Sequence, residues 1–350
     1  MAEEYRPLSR RTLLTAAAGG VAAGIVSTSL LTGTAGAAAL PGRKRLLIGN
    51  VDALGNGSIA VADPSLTGTP SSIAVSGQPN SIAGAPDGIR AWVATQFTPG
   101  LALVDLDKGK VETEVMVGGF ANNTVVSSDG KRAYVSVGSS GGGGSRGHVA
   151  VVDTANGEVR ARIKVGFLPS QLALTPDGKR LYVADATATG VSIIDTAKNE
   201  VAGAVKTAKT PFRIAIDARG TKLYVASFRE LTTFDLGTGQ QNGTTALTGR
   251  PCGLAVGPAG TFAAVSLFTG RTTPSLLALV NTQTNKVRNQ SENGRAHGPL
   301  VLSRDGGKAF VLDKENRKAT ASNTTDAKPE NALSSPNSSK PTCVAFVETA

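Results

Sequence analysis

Aromatic side chains are scarce in this chain, at 4% of 350 residues, with a single Trp and four Tyr. A core must then be built from Val, Ile, Leu and Ala, and little is left for stacking against nucleic-acid bases. Histidine is equally thin, His148 and His297 being the only two. Lacking a neighbouring carboxylate or thiolate cluster, they fall short of the three or four ligands of a zinc centre, so no metal is expected. Cys252 and Cys343 are the only cysteines. They lie at neighbouring repeat positions two blades apart in the fold derived below. Reduced thiols are favoured over a strained bridge across the pore, because a disulfide needs Cα atoms within about 7 Å. There is no paired-acid motif. The glycine-rich run from Gly138 to Gly147 lacks the Gly-Lys-Ser/Thr ending and following helix of a phosphate loop, and reads as a lid or surface loop.

What the chain does have is a repeat. A turn marker recurs at Pro86-Asp87-Gly88, Ser128-Asp129-Gly130, Pro176-Asp177-Gly178, Ala218-Arg219-Gly220, Pro258-Ala259-Gly260 and Arg304-Asp305-Gly306. Successive glycines lie 42, 48, 42, 40 and 46 residues apart, the period of a propeller blade. Short runs rich in β-branched residues separate the turns, such as Leu181 to Ala184, Val191 to Ile194, Val201 to Val205 and Ile214 to Ile216. Bounded by Gly, Asp, Asn and Pro, they read as strands. A second turn recurs at Asp105 to Gly109, Asp153 to Gly157, Asp195 to Asn199, Asp235 to Gly239 and Asn281 to Asn285. It is opened by Asp or Asn and closed by Gly or Asn where φ must be positive. Four strands per unit predict an all-β, single seven-bladed β-propeller. Lys44-Arg45-Leu46-Leu47-Ile48 matches Lys179-Arg180-Leu181-Tyr182-Val183, so the repeat region begins just after a turn. The chain ends where the next turn would fall. Leading and trailing strands are therefore expected to complete one shared blade, removing the exposed edges that invite aggregation.

The pattern LYVAD…VSIIDT…P…IA…DG resembles the YVTN-repeat propellers. Tyr134-Val135, Tyr182-Val183 and Tyr224-Val225 carry the resemblance best, with Trp92-Val93 and Phe310-Val311 as variants, and it covers residues 43–350. It implies the fold and no particular activity, because such propellers host unrelated functions. Two units depart from it. One has Ala263-Ala264 where Leu-Tyr is expected, and the last has a polar stretch, Lys318 to Lys340, poor in strand formers.

Residues 1–39 read as a targeting segment. Ser9-Arg10-Arg11-Thr12-Leu13-Leu14 is a twin-arginine signature, followed by an uncharged Ala/Gly-rich stretch and a small-residue site at Ala35-Gly36-Ala37. The uncharged run is diluted by Gly, Ser and Thr, which argues against a membrane-spanning anchor. Export to a cell-wall, periplasmic or extracellular location is expected. The formal charge of +10 over the whole chain is spread in small groups such as Lys131-Arg132 and Lys179-Arg180. It serves solubility better than a polyanion or nucleic-acid site.

In a propeller, the segments leading into the innermost strands and the loops between second and third strands share one face, at the mouth of the channel. The candidate binding residues on that face are Asn122, Asn123, Gln171, Asp185, Arg213, Arg229, Arg250 and His297. The leading expectation is a monomeric, non-enzymatic binding module for a protein, glycan or small molecule, with no cofactor. The alternative from another class is a lyase or lactonase in which His297 acts as base with Arg213 or Arg250, as streptogramin-type lyases place a histidine on a propeller face. Binding of a redox cofactor lacks obvious axial ligands.

Overall fold

The computed structural model describes residues 44–96, 100–138, 146–295, 298–336 and 339–348. The expected targeting segment and His297 lie outside the described residues. Numbered in chain order, 28 strands form seven four-stranded antiparallel sheets. The innermost strands are β4 (Pro79–Gly84), β8 (Phe120–Val126), β12 (Pro169–Leu174), β16 (Arg213–Ile216), β20 (Arg250–Val256), β24 (Leu300–Leu302) and β28 (Lys340–Glu348). Each contacts the next, and β24 contacts β28, which contacts β4, so the sheets form a closed ring.

Closure follows the expected route. β28 pairs antiparallel with β1 (Lys44–Val51), with Leu47 opposite Ala345 and Ile48 opposite Val344. The first and last strands thus share a blade, and an ion pair between the facing Lys44 and Glu348, 3.3 Å long, marks the seam. The polar stretch at the end of the repeat region also forms its outer strands, Lys318–Asn323 and Pro329–Ser334. Outer strands face solvent on one side and need little apolar content, as in Glu200–Lys206, where six of seven residues are exposed. Second and third strands are covered on both faces by neighbouring blades, and Gly100–Asp105 is buried at every position.

The core is divided among seven apolar clusters, each formed between two adjacent blades. One repeat position supplies the largest side chain at most of them. Trp92, Tyr134, Tyr182, Tyr224 and Phe310 are each at most 2% exposed, and Leu47 holds the place in the shared blade. The unit with Ala264 at this position compensates from the same strand. Phe262, two residues earlier and so on the same face, joins Ala264 in one cluster, and Arg288 stacks over its ring at 4.8 Å. The ring lies against Gly257, where an added Cβ would sit 2.4 Å from Phe262 Cε1. The other turns carry Ala85, Ser127, Thr175, Asp217 and Ser303 at the position of Gly257, so the aromatic shift and the loss of a side chain go together.

The glycines of the recurring turn, Gly88, Gly130, Gly178, Gly220, Gly260 and Gly306, all have φ between 67° and 73°, a conformation that costs an L side chain about 1 kcal/mol. The closing residues of the second turn, Gly109, Gly157, Asn199, Gly239 and Asn285, are likewise left-handed. In the last blade this role falls to Ala327 (φ 63°), whose methyl is fully buried in the Phe262 cluster.

Candidate ligand site at the channel mouth

The two recurring turns of a blade meet on one face. Thr324 Oγ1 donates to the Gly306 carbonyl at 2.6 Å. Thr154, Thr196 and Thr282 clasp the carbonyls of Gly130, Gly178 and Gly260 in the same way. In an antiparallel blade the remaining connections must emerge at the opposite end, and that end carries the candidate residues.

Neighbouring innermost strands belong to separate sheets, so no backbone ladder joins them. Side chains do this instead. Asn80 Nδ2 donates to the Ala121 carbonyl and Asn122 Nδ2 to the Pro169 carbonyl, both at 2.9 Å. Asn123 bridges two blades, its Nδ2 donating to Ser81 Oγ at 2.9 Å and its Oδ1 accepting from Leu172 N at 3.0 Å. Gln171 Oε1 accepts from Ile214 N at 3.2 Å, and Arg213 Nε donates to the Cys252 carbonyl at 2.8 Å. This belt runs from β4 to β20. Beyond it the wall passes through Pro299, Leu300 and Cys343.

The belt encloses a cavity of about 270 Å³ lined by Asn80, Asn122, Asn123, Gln171, Arg213 and Cys343, among others. That is room for a small molecule or the end of a larger one. The belt does not exhaust its polar groups. Gln171 must turn its oxygen to Ile214 N, so its Nε2 faces away, with no acceptor among the described residues. Arg213 uses Nε and Nη1, the latter donating to the Phe212 carbonyl at 2.7 Å, and Nη2 has no partner among the described residues. Asn80 and Asn122 each bond through Nδ2, leaving their Oδ1 atoms for a ligand.

Four of the candidate residues, Asn122, Asn123, Gln171 and Arg213, thus come together in the channel. Arg229 and Arg250 do not line it; with Phe228 and Phe268 they form a shallower depression of about 310 Å³, and Arg250 stacks over Phe268 at 5.6 Å. Asp185 is buried and already occupied, accepting from Thr187 N of its own loop at 2.7 Å and from Leu168 N, just before the innermost strand, at 3.3 Å. His148 opens the strand His148–Asp153, half-buried, with Nε2 2.9 Å from the Val117 carbonyl. Burial pushes its pKa below the usual histidine value. Both cysteines are free thiols. Among the described residues no group of three or more His, Cys, Asp or Glu could hold a metal, and no helix is long and apolar enough to cross a membrane.

One residue was not singled out from sequence. Lys314 follows the second strand of its blade, where burial, and then the nearby charges of Arg213 and Lys340, lower its pKa. The repeat contained the signal, because the same position elsewhere holds Val51, Gln96, Gly138, Ala186, Phe228 and Phe268. Lys314 is the only charge there.

Fold and site together define a seven-bladed β-propeller with a polar channel mouth. No family model matches the chain, and no curated protein does. Solved structures share the fold. A functionally unknown protein from Desulfotomaculum acetoxidans superimposes with TM-score 0.73 at 14% identity, covering 87% of this chain and 99% of that one. Hydrazine synthase from Kuenenia stuttgartiensis gives 0.68 at 18% identity, covering 78% and 96%. The dihydro-heme d1 dehydrogenase NirN, in complex with DHE, gives 0.61 at 14% identity, covering 86% and 74%. These likenesses extend to architecture alone, and their functions are mixed.

Proposed function

We propose that this chain is an exported, YVTN-type binding propeller that holds a small molecule, or one end of a glycan or protein segment, in the mouth of its central channel. The observation that carries the reading is the cavity bounded by Asn80, Asn122, Gln171 and Arg213, whose walls retain unused hydrogen-bonding groups. Buried polar groups are ordinarily satisfied, and those left open on a rigid scaffold are where a ligand completes the set. Binding is favoured over catalysis because the described polar lining of the cavity consists of amides, hydroxyls, a guanidinium and the Cys343 thiol, which burial keeps protonated. None of these exchanges a proton readily near neutral pH. Export rests on the Arg10-Arg11 signature and the small-residue stretch after it.

The test is a thermal-shift screen of the purified protein against small metabolites, oligosaccharides and peptides, since a ligand of the native state raises the melting temperature. Hits that lose their effect in Gln171→Ala and Asn122→Ala support the reading. Hits unaffected by both changes, or turned over by the protein, overturn it.

A further inference from the structure

Two cations without a counter-charge among the described residues meet at the channel mouth. Arg213, half-buried, lines the cavity, and Lys314, half-buried on another blade, is near enough to feel the Arg213 charge. Desolvation pushes each below its usual pKa, although a guanidinium stays charged at any ordinary pH. Neither has an ion-pair partner among the described residues. The acids nearest Lys314 in sequence are committed elsewhere. Asp313, fully buried, accepts from Asn316 N and Nδ2, both at 2.8 Å. Glu315 pairs with Arg295 at 3.3 Å. Asp185 and Asp52 are likewise held by their own loops. The Cys343 thiol between the blades is pushed up to about 12 by burial and stays neutral. Arg250 and Lys340 add further positive charge.

Burying one unpaired charge is costly, and burying two of like sign together is more so. Arg213 is fixed by two carbonyl bonds that hold its guanidinium in place while leaving Nη2 open. Gln171 Nε2 adds a third unused donor on the adjacent blade. An all-donor arrangement of this kind fits a group that only accepts, and charge-assisted bonds to it are short and strong. Across the cavity the open Oδ1 atoms of Asn80 and Asn122 offer acceptors to hydroxyls.

We infer that the channel mouth binds a small hydroxylated acid, with its carboxylate or phosphate held by Arg213, Lys314 and Gln171 Nε2, and its hydroxyls turned toward Asn80 and Asn122. The inference rests on the channel being the ligand site, and it adds the charge and chemical class of the ligand. Relief of the Arg213–Lys314 repulsion would make the anion part of what stabilises the native channel.

The test uses the full chain, with calorimetric titration and thermal shift against glucuronate, glucose 6-phosphate, inorganic phosphate and neutral methyl glucoside. An acid is expected to bind and to raise the melting temperature, with methyl glucoside without effect. Arg213→Gln should weaken acid binding about tenfold or more, the loss of a charge-assisted contact. Because Arg213 also braces Cys252, Lys314→Met provides the independent check. It removes no described hydrogen bond, and should leave the unliganded protein as stable or more so while lowering acid affinity. Phosphate binding as well as the sugar acids would locate the selectivity in the anionic head, which still supports the inference. If no acid binds, or if Lys314→Met leaves acid affinity intact, the inference is overturned. Neutral hits from the broader screen that depend on Gln171 and Asn122 would then leave the channel as the ligand site, with only its charge preference refuted.

Discussion

Leu47 and Ala345, from opposite ends of the repeat region, face each other as partners across β1 and β28. Cys343, Ala345 and Val347 of β28 also pack in the cluster that joins this blade to the next, against Ile82 and Val93. Closure is therefore both a hydrogen-bonded seam and an apolar one. Truncation after Ser339 removes both, and is expected to replace a single cooperative thermal transition with a broad one at least about 10 °C lower. Circular dichroism melting reads the result directly.

The departure at Ala264 gives a second expectation. Phe262→Ala should cost about 3–5 kcal/mol, the usual range for truncating a buried aromatic. Gly257→Val should destabilise by more than about 1 kcal/mol, because its side chain would enter the Phe262 ring. In the double variant Phe262→Ala/Gly257→Val, the valine occupies part of the vacated space. The two costs should then fall short of additive in urea unfolding.

Alkaline stability depends on Cys343. Burial pushes its thiol up to about 12 in the folded protein, against an ordinary value of 9.0. Between these limits the unfolded chain has lost a proton that the folded chain retains, so stability falls as pH rises. The contribution is complete below pH 9 and gone above about 12. Cys343→Ala should melt at a lower temperature at pH 7 but show a flatter decline between pH 9 and 11 than the wild-type chain.

Acid behaviour follows from the turns, with the opposite sign. Ser127, Thr175 and Ser303 donate to Asp129, Asp177 and Asp305, and these bonds are the largest cause holding the three carboxyls below 3.8. Their stabilisation is present above the unfolded value and is lost as pH drops through the lower folded values. The triple Asp→Asn variant should lose most of its difference from the wild-type chain once the pH falls below the usual carboxylate range, as measured by melting temperature against pH.

The fold was legible because a period is visible even where individual strands are weak. Six turn glycines with one φ value, and five closing residues of the second turn, impose the blade length whatever lies between them. That is why the polar strands of the last blade form despite their composition: their register is set by Asn323, Ala327 and the packing of Ala319 and Ala321. The site was legible only in part. The repeat placed Asn122, Asn123, Gln171 and Arg213 at the mouth. Whether a mouth residue faces the channel or the rim depends on its register along the blade. Arg250 sits opposite Phe268 and stacks over it, whereas Arg213, opposite Ala226 and so further from the end of its blade, turns inward to Cys252. Asp185 sits at the right height, but its own loop consumes its carboxylate. Lys314 escaped notice because nothing marks a lone lysine until its repeat equivalents are compared.

The most direct test of the channel as the ligand site is a crystal structure with the strongest hit from the screen bound. Density between Arg213, Gln171 and Asn122, with Arg213 Nη2 now paired, is the expected result. Density confined to the depression around Phe228, Arg229 and Arg250, with the channel unchanged, would contradict it.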